Sequence, residues 1–312
     1  GGIESVIFSN TISNFLFGII TNIWIVIINK APLSYKWLIK MLKFGAPSMV
    51  GILLVTLFDM IDRLFLNHYL GLFELGLYSV GRKYVYIISI ILTGPFMSIW
   101  TPYSFQIANQ KNHKEVIAKL LPLFVFLFSF ASLFLSLFSR NIIPIITTIE
   151  YLPSSKIIIW LSMSQTSYVI STVFLTAINI SNRPTLGAFV NFLILIFGII
   201  FNYTFIPYFG LVGAAIATFL TFILQSIFFY IIGQKVYSIP YNLLKIYIPF
   251  FLAFIFYYLC SLFYIYSSSL GLQISANFLL LIIYILIVFF IVFDSDERIL
   301  MLRKFSIINY YK

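Results

Sequence analysis

QISANFLLLIIYILIVFFIVF, residues 273–293, runs for twenty-one positions without a charged side chain. A bilayer core about 30 Å thick is crossed by about 20 helical residues rising about 1.5 Å each, so this stretch has the length of one membrane crossing. Working outward, eight further runs of similar character lie at 5–29, 46–67, 77–104, 120–138, 157–178, 185–206, 211–232 and 246–264. Strands of a membrane barrel alternate over about 10 residues, and these runs are too long and too continuous for that pattern. The expected fold is an all-α polytopic membrane helix bundle of about nine transmembrane helices. Composition agrees: 62% of residues are hydrophobic and 9% charged, against roughly half and a quarter in a soluble domain.

The excess of basic over acidic residues, 19 to 9, forms no stripe on a polar surface, so nucleic acid is not an expected partner. Its distribution reports orientation instead, because Lys and Arg are retained on the cytoplasmic side. One set of alternate loops holds fourteen of them: Lys30, Lys36, Lys40 and Lys43, then Lys111, Lys114 and Lys119, then Arg183, then Lys235 and Lys245, then Arg298, Arg303, Lys304 and Lys312. The opposite set holds two, Arg140 and Lys156. The carboxyl tail is therefore expected in the cytoplasm. With nine crossings residue 1 is external, and an odd number of helices is expected before it. Residue 1 is glycine, and the expectation is a frame whose beginning is missing rather than a signal peptide.

No loop is long enough for a soluble catalytic domain, so no enzyme is expected. The single cysteine, Cys260, lies in an apolar run, and His68 and His113 have no second ligand at metal spacing. No metal and no cofactor follow from them. Segment 30–45, KAPLSYKWLIKMLKFG, interleaves Trp37, Leu38, Met41, Leu42 and Phe44 with Lys36, Lys40 and Lys43. That pattern suits an amphipathic helix on the inner leaflet, or equally a hinge between two halves.

Two runs carry charges at membrane depth. Asp59, Asp62 and Arg63 lie in PSMVGILLVTLFDMIDRLFLNHYL, residues 47–70. An ionisable group there costs at least about 2.5–3.5 kcal/mol on insertion scales and is expected to face the bundle interior or a wet cavity. The three fall within an arc of about 100°, and Asp59 with Arg63 has the i, i+4 spacing of an ion pair. In the next run Tyr78, Ser79, Arg82, Lys83, Tyr86 and Ser89 fall within about 140° of one another, a polar and cationic stripe. One reading is that the charges neutralise one another and snorkel to the interface. The other is a cationic cleft, Arg63, Arg82 and Lys83, for a phosphate-bearing substrate. Asp59 or Asp62 would then serve ion coupling or a salt bridge. Gln165, Asn191, Asn202 and Gln225 lie deeper in later runs, as interhelical glue or as path-lining groups beside Tyr78 and Tyr86.

KFGAPSMVG, DMIDRLFLNHYLGLFELGLYSVGRKY and FNYTFIPYFGLVGAAIATFLTF resemble successive stretches of the polysaccharide-biosynthesis or O-antigen flippase family, within the multidrug/oligosaccharidyl-lipid/polysaccharide exporter superfamily. The resemblance covers about residues 36–235. It implies a two-lobed transporter that moves undecaprenyl-pyrophosphate-linked oligosaccharide across the inner membrane by alternating access. In that frame 1–29 closes a mostly missing first lobe, 30–45 is the inter-lobe linker, 46–233 is a second six-helix lobe, and 234–312 adds two helices and a cytoplasmic tail. The implied partners are the lipid-linked oligosaccharide, membrane lipids, and glycosyltransferases and polymerase of the same pathway. Three alternatives stay open: a cation-coupled drug exporter of the same superfamily, an integral-membrane glycan polymerase or ligase, and an assembly scaffold.

Overall fold

The computed structural model of the chain describes residues 3–29, 34–266, 269–295 and 297–298. Nine α-helices follow one another in them: α1 (Ile3–Asn29), α2 (Tyr35–Leu70), α3 (Leu72–Ile88), α4 (Gly94–Ile107), α5 (His113–Ile146), α6 (Ser155–Ile180), α7 (Pro184–Val236), α8 (Leu243–Tyr266) and α9 (Leu270–Val292). No strand occurs among the described residues, and six helical segments are long and apolar enough to cross a membrane. The chain is a polytopic all-α membrane bundle.

Two compact units divide at Gly45 and Ala46. In the first, α1 leaves Phe8, Phe15 and Trp24 exposed, the all-round apolar surface of a helix made for lipid or for other helices. The ammonium of Lys40 lies 5.0 Å from the Trp37 ring centroid. A helix expected to begin at 46 begins instead at Tyr35, with Pro47 inside it. Proline forfeits one backbone hydrogen bond there, which a membrane helix tolerates.

In the second unit the run expected as one helix over 77–104 is α3 and α4 joined by a π-turn, Ser89–Thr93. Proline at the start of α4 has no N–H to continue the ladder, and the preceding Gly94 N–H reaches back five residues to the Ser89 carbonyl. Widening the turn absorbs the proline.

The central element is α6, packed by α3, α5, α7 and α8. Its many Ser and Thr side chains allow close approach and satisfy themselves locally: Ser164 donates to the Leu161 carbonyl at 2.6 Å and Ser167 to the Met163 carbonyl at 3.0 Å. Across to α5, Ser132 donates to the Ser162 carbonyl at 3.0 Å.

Helix α7 is two arms folded about Gly210, whose φ of 57° and ψ of −135° only glycine adopts without strain. This break is the loop expected between 206 and 211. Asn191 and Gln225 bond across the arms, and Phe197 meets Phe228 with ring centroids 6.0 Å apart. Each pair is nearly symmetric about the break, so the arms are antiparallel neighbours. Helices α8 and α9 pack with α5 inside the same compact unit as the preceding helices. Asn277 of α9 donates to the Leu137 carbonyl of α5 at 3.0 Å and accepts from the Cys260 thiol of α8 at 3.0 Å. At the far end of α9, Lys245 binds Asp294 at 2.6 Å and Glu297 at 3.4 Å. The carboxyl of Asp294 is held below the usual range by that hydrogen bond and by the charge of Lys245.

Candidate functional site

Four polar residues lie at one depth because two turns set them there. Asp62 precedes the α2–α3 turn at Gly71 by nine residues and Tyr78 follows it by seven; Asn202 precedes the α7 break at Gly210 by eight and Thr218 follows it by eight. At about 1.5 Å per residue, all four are about 12 Å in from the same end of the bundle. Gly71 has a φ of 84°, which lets α3 start one residue after α2 ends.

The Asp62 carboxylate is completely buried. Its Oδ1 accepts from the Asn202 amide at 2.7 Å, and its Oδ2 accepts from the Thr218 hydroxyl at 2.8 Å and the Tyr78 hydroxyl at 3.2 Å. Tyr78 and Thr218 are themselves 3.1 Å apart, oxygen to oxygen. A hydrogen bond to a charged group contributes about 1.5–3 kcal/mol net, so three of them offset much of the several kcal/mol that burying a carboxylate costs.

The Asn202 amide gives one N–H contact to Asp62 and another to the Gly198 carbonyl at 2.9 Å. Its own oxygen, buried, has no hydrogen-bond partner. With Asp62 ionised the NH2 faces the carboxylate; with Asp62 protonated, a half-turn of the amide presents its oxygen as the acceptor the new O–H needs. Glycine at 198 lets α7 close on α2, since a Cβ there would lie 2.3 Å from the Phe58 ring.

The expected common face of Asp62 and Arg63 does not form: Asp62 is buried and Arg63 exposed. Neighbouring residues in a helix diverge by about 100°, so only one of two adjacent charges turns fully inward. The Asp59 side chain, and with it the expected Asp59–Arg63 ion pair, lies outside the described residues. The α3 stripe also divides. Tyr78 is buried, Arg82 half-buried, and Lys83 and Tyr86 exposed. The Arg82 guanidinium carbon is 6.0 Å from the Tyr78 ring centroid, within cation–π reach, so Arg82 alone of the three expected cations adjoins the Asp62 cluster through a described contact. Thr218 was not singled out by its sequence. Its signal was a hydroxyl within the small-residue stretch GLVGAAIATF.

A second, neutral network joins α6, both arms of α7 and α2. Ser171 donates to Gln225 at 3.0 Å, Gln225 to Asn191 at 2.9 Å, and Asn191 to the Gly51 carbonyl at 3.2 Å. Gln165 is half-buried on α6.

The family described as polysaccharide biosynthesis protein matches residues 1–156, half of the chain, and the chain belongs to that family. No curated protein and no solved structure matches it.

Proposed function

We infer that the protein translocates a lipid-linked oligosaccharide, carried on undecaprenyl pyrophosphate, across the bacterial inner membrane for O-antigen, capsule or related surface polysaccharide assembly, and that it is not an enzyme. The observation that carries this reading is the buried Asp62, held by α2, α3 and both arms of α7, in a chain of the polysaccharide biosynthesis family. An ionisable residue at membrane depth is a functional group by default, and this one has a partner suited to each protonation state. Asp62 takes a proton or a small cation and thereby changes how tightly α2 is tied to α7. That is a coupling element for alternating access. Arg82, with Arg63 and Lys83 on the exposed side, supplies charge for the pyrophosphate.

The fourteen-to-two distribution of Lys and Arg between alternate loops supports a cytoplasmic carboxyl tail. It puts the turns at Gly71 and Gly210 on the external side. Glycosyltransferases that build the oligosaccharide and a polymerase that consumes it are the partners this step requires.

Expression of the full-length protein in a flippase-null strain of matched sugar chemistry tests the reading. Surface polysaccharide is expected to return, and to be lost again in R82Q while the protein level is kept. Failure to restore export, with drug resistance gained instead, would transfer the chain to the exporter alternative; unchanged polysaccharide in R63Q, R82Q and K83Q would remove the cationic site.

A further inference from the structure

Arg140 and Lys156 are the two basic residues in the loop set opposite the cation-rich one, where retention of positive charge is disfavoured. In the fold they come together. Both line one open recess of about 450 Å³, with Asn141, Ser155 and Gln273 as neutral donors and Leu152 on its wall. The recess is built by the last turns of α5, the short 3-10 turn Ile149–Ser154, and the first turns of α6 and α9. Among the described residues no carboxylate lines it.

Lys156 lies just after the 3-10 turn Ile149–Ser154, which runs directly into α6. Among the described residues no carboxylate lies within ion-pair distance of Lys156. Arg140 lies six residues inside the end of α5, about 9 Å from it along the helix. Below it a smaller cavity, lined by Ser136, Tyr257 and Cys260 among others, continues inward from the same arginine. Two cations and the polar side chains of Asn141, Ser155 and Gln273 line one space beside an apolar wall, a lining that suits a phosphate group carried on a lipid.

We propose that the Arg140–Lys156 recess is an anion site for the phosphate headgroup of a lipid in the leaflet at that end of the bundle, which by the orientation proposed above is the external leaflet. It deepens the translocation reading: the recess holds lipid-borne phosphate on the side to which the substrate is delivered. The site itself is a binding property and needs no transport.

The test uses the full-length protein in phosphatidylcholine vesicles, with spin-labelled phosphatidic acid as the probe and electron paramagnetic resonance reporting the protein-bound fraction. The preference for phosphatidic acid over labelled phosphatidylcholine is expected to fall about fivefold for each charge removed in R140Q, K156Q and the double variant. A control, K111Q/K235Q, removes two charges at the other end and is expected to keep the preference in lipid confined to the external leaflet. Circular dichroism and thermal melting verify that each variant is folded. An undiminished preference in the folded double variant, or an equal loss in the control, would overturn the proposal. Inorganic pyrophosphate in a second arm separates the sources: displacement of the label assigns the recess to phosphate groups as such, and no displacement assigns it to lipid-borne phosphate; both support the site when the double variant has lost its preference. Translocation that fails while this binding persists counts against the proposed function alone.

Discussion

Two polar junctions tie α2 to the two arms of α7, and they differ in what sits at their centre. Leading to Gly51, the chain Ser171, Gln225, Asn191 is made of neutral groups, of which Gln225 and Asn191 both donate and accept. Around Asp62 the partners Asn202, Thr218 and Tyr78 all converge on one carboxylate. A neutral amide network has a single charge state and holds helices together at every pH. A buried carboxylate has two, and its neighbours must rearrange between them. On the proposed reading the first junction is glue and the second is a place where the grip of α2 on α7 can be changed.

The sharpest way to break the comparison is to neutralise one junction and compare it with the other. D62N is expected to reduce polysaccharide export more than tenfold at unchanged protein level. Q225L is expected to leave export near wild type. Equal losses in the two variants would erase the distinction. Next in size is the packing that brings the helices close enough for either junction. G198L would drive a side chain into the Phe58 ring, and overpacking of this kind costs about 1–3 kcal/mol. A lowered melting temperature is expected, partly recovered by F58A in the same chain.

A smaller effect is expected at the neutral junction itself. Interhelical hydrogen bonds in membranes contribute about 0.6 kcal/mol on average, so Q225L should lower the melting temperature only slightly. Smallest is the exposed pair Lys245–Asp294. Because the Asp294 carboxyl is held below its ordinary value, its contribution is present above the unfolded value of about 4 and is lost as pH falls through the depressed folded value. Amide exchange at Asp294, corrected for intrinsic rate, should quicken across that acid window in the wild type and show no such step in K245M.

Much of this fold could be read from the lengths of the apolar runs, because a membrane crossing needs about 20 residues whatever their order. The break at Gly210 was readable too, since Pro207 and Gly210 punctuate an otherwise continuous run. What the runs could not disclose was continuity: nothing in the sequence between Tyr35 and Pro47 says that a pattern fit for the membrane surface belongs to the same helix as the run after it. The π-turn at Ser89–Thr93 was hidden for a similar reason, since Pro95 marks a disturbance without saying how the backbone absorbs it.

For the site, the residue types at Asp62, Tyr78 and Asn202 were conspicuous because polar groups in apolar runs need a reason. Their grouping was not. Asn202 and Thr218 reach Asp62 from 140 and 156 residues away, and helical periodicity relates residues only within their own helix. Which of the adjacent Asp62 and Arg63 turns inward is likewise decided by α7, whose amide and hydroxyl donors suit a carboxylate and not a guanidinium.

Whether Asp62 couples an ion to movement is read directly by reconstituted translocation. Full-length protein in proteoliposomes would be given a fluorescent sugar on a polyprenyl pyrophosphate, with and without an imposed proton or sodium gradient, as wild type and as D62N. Asp62 coupling predicts translocation that responds to one of the gradients in the wild type and does not respond in D62N, with both proteins folded. A D62N protein that responds to the gradient as the wild type does would contradict it.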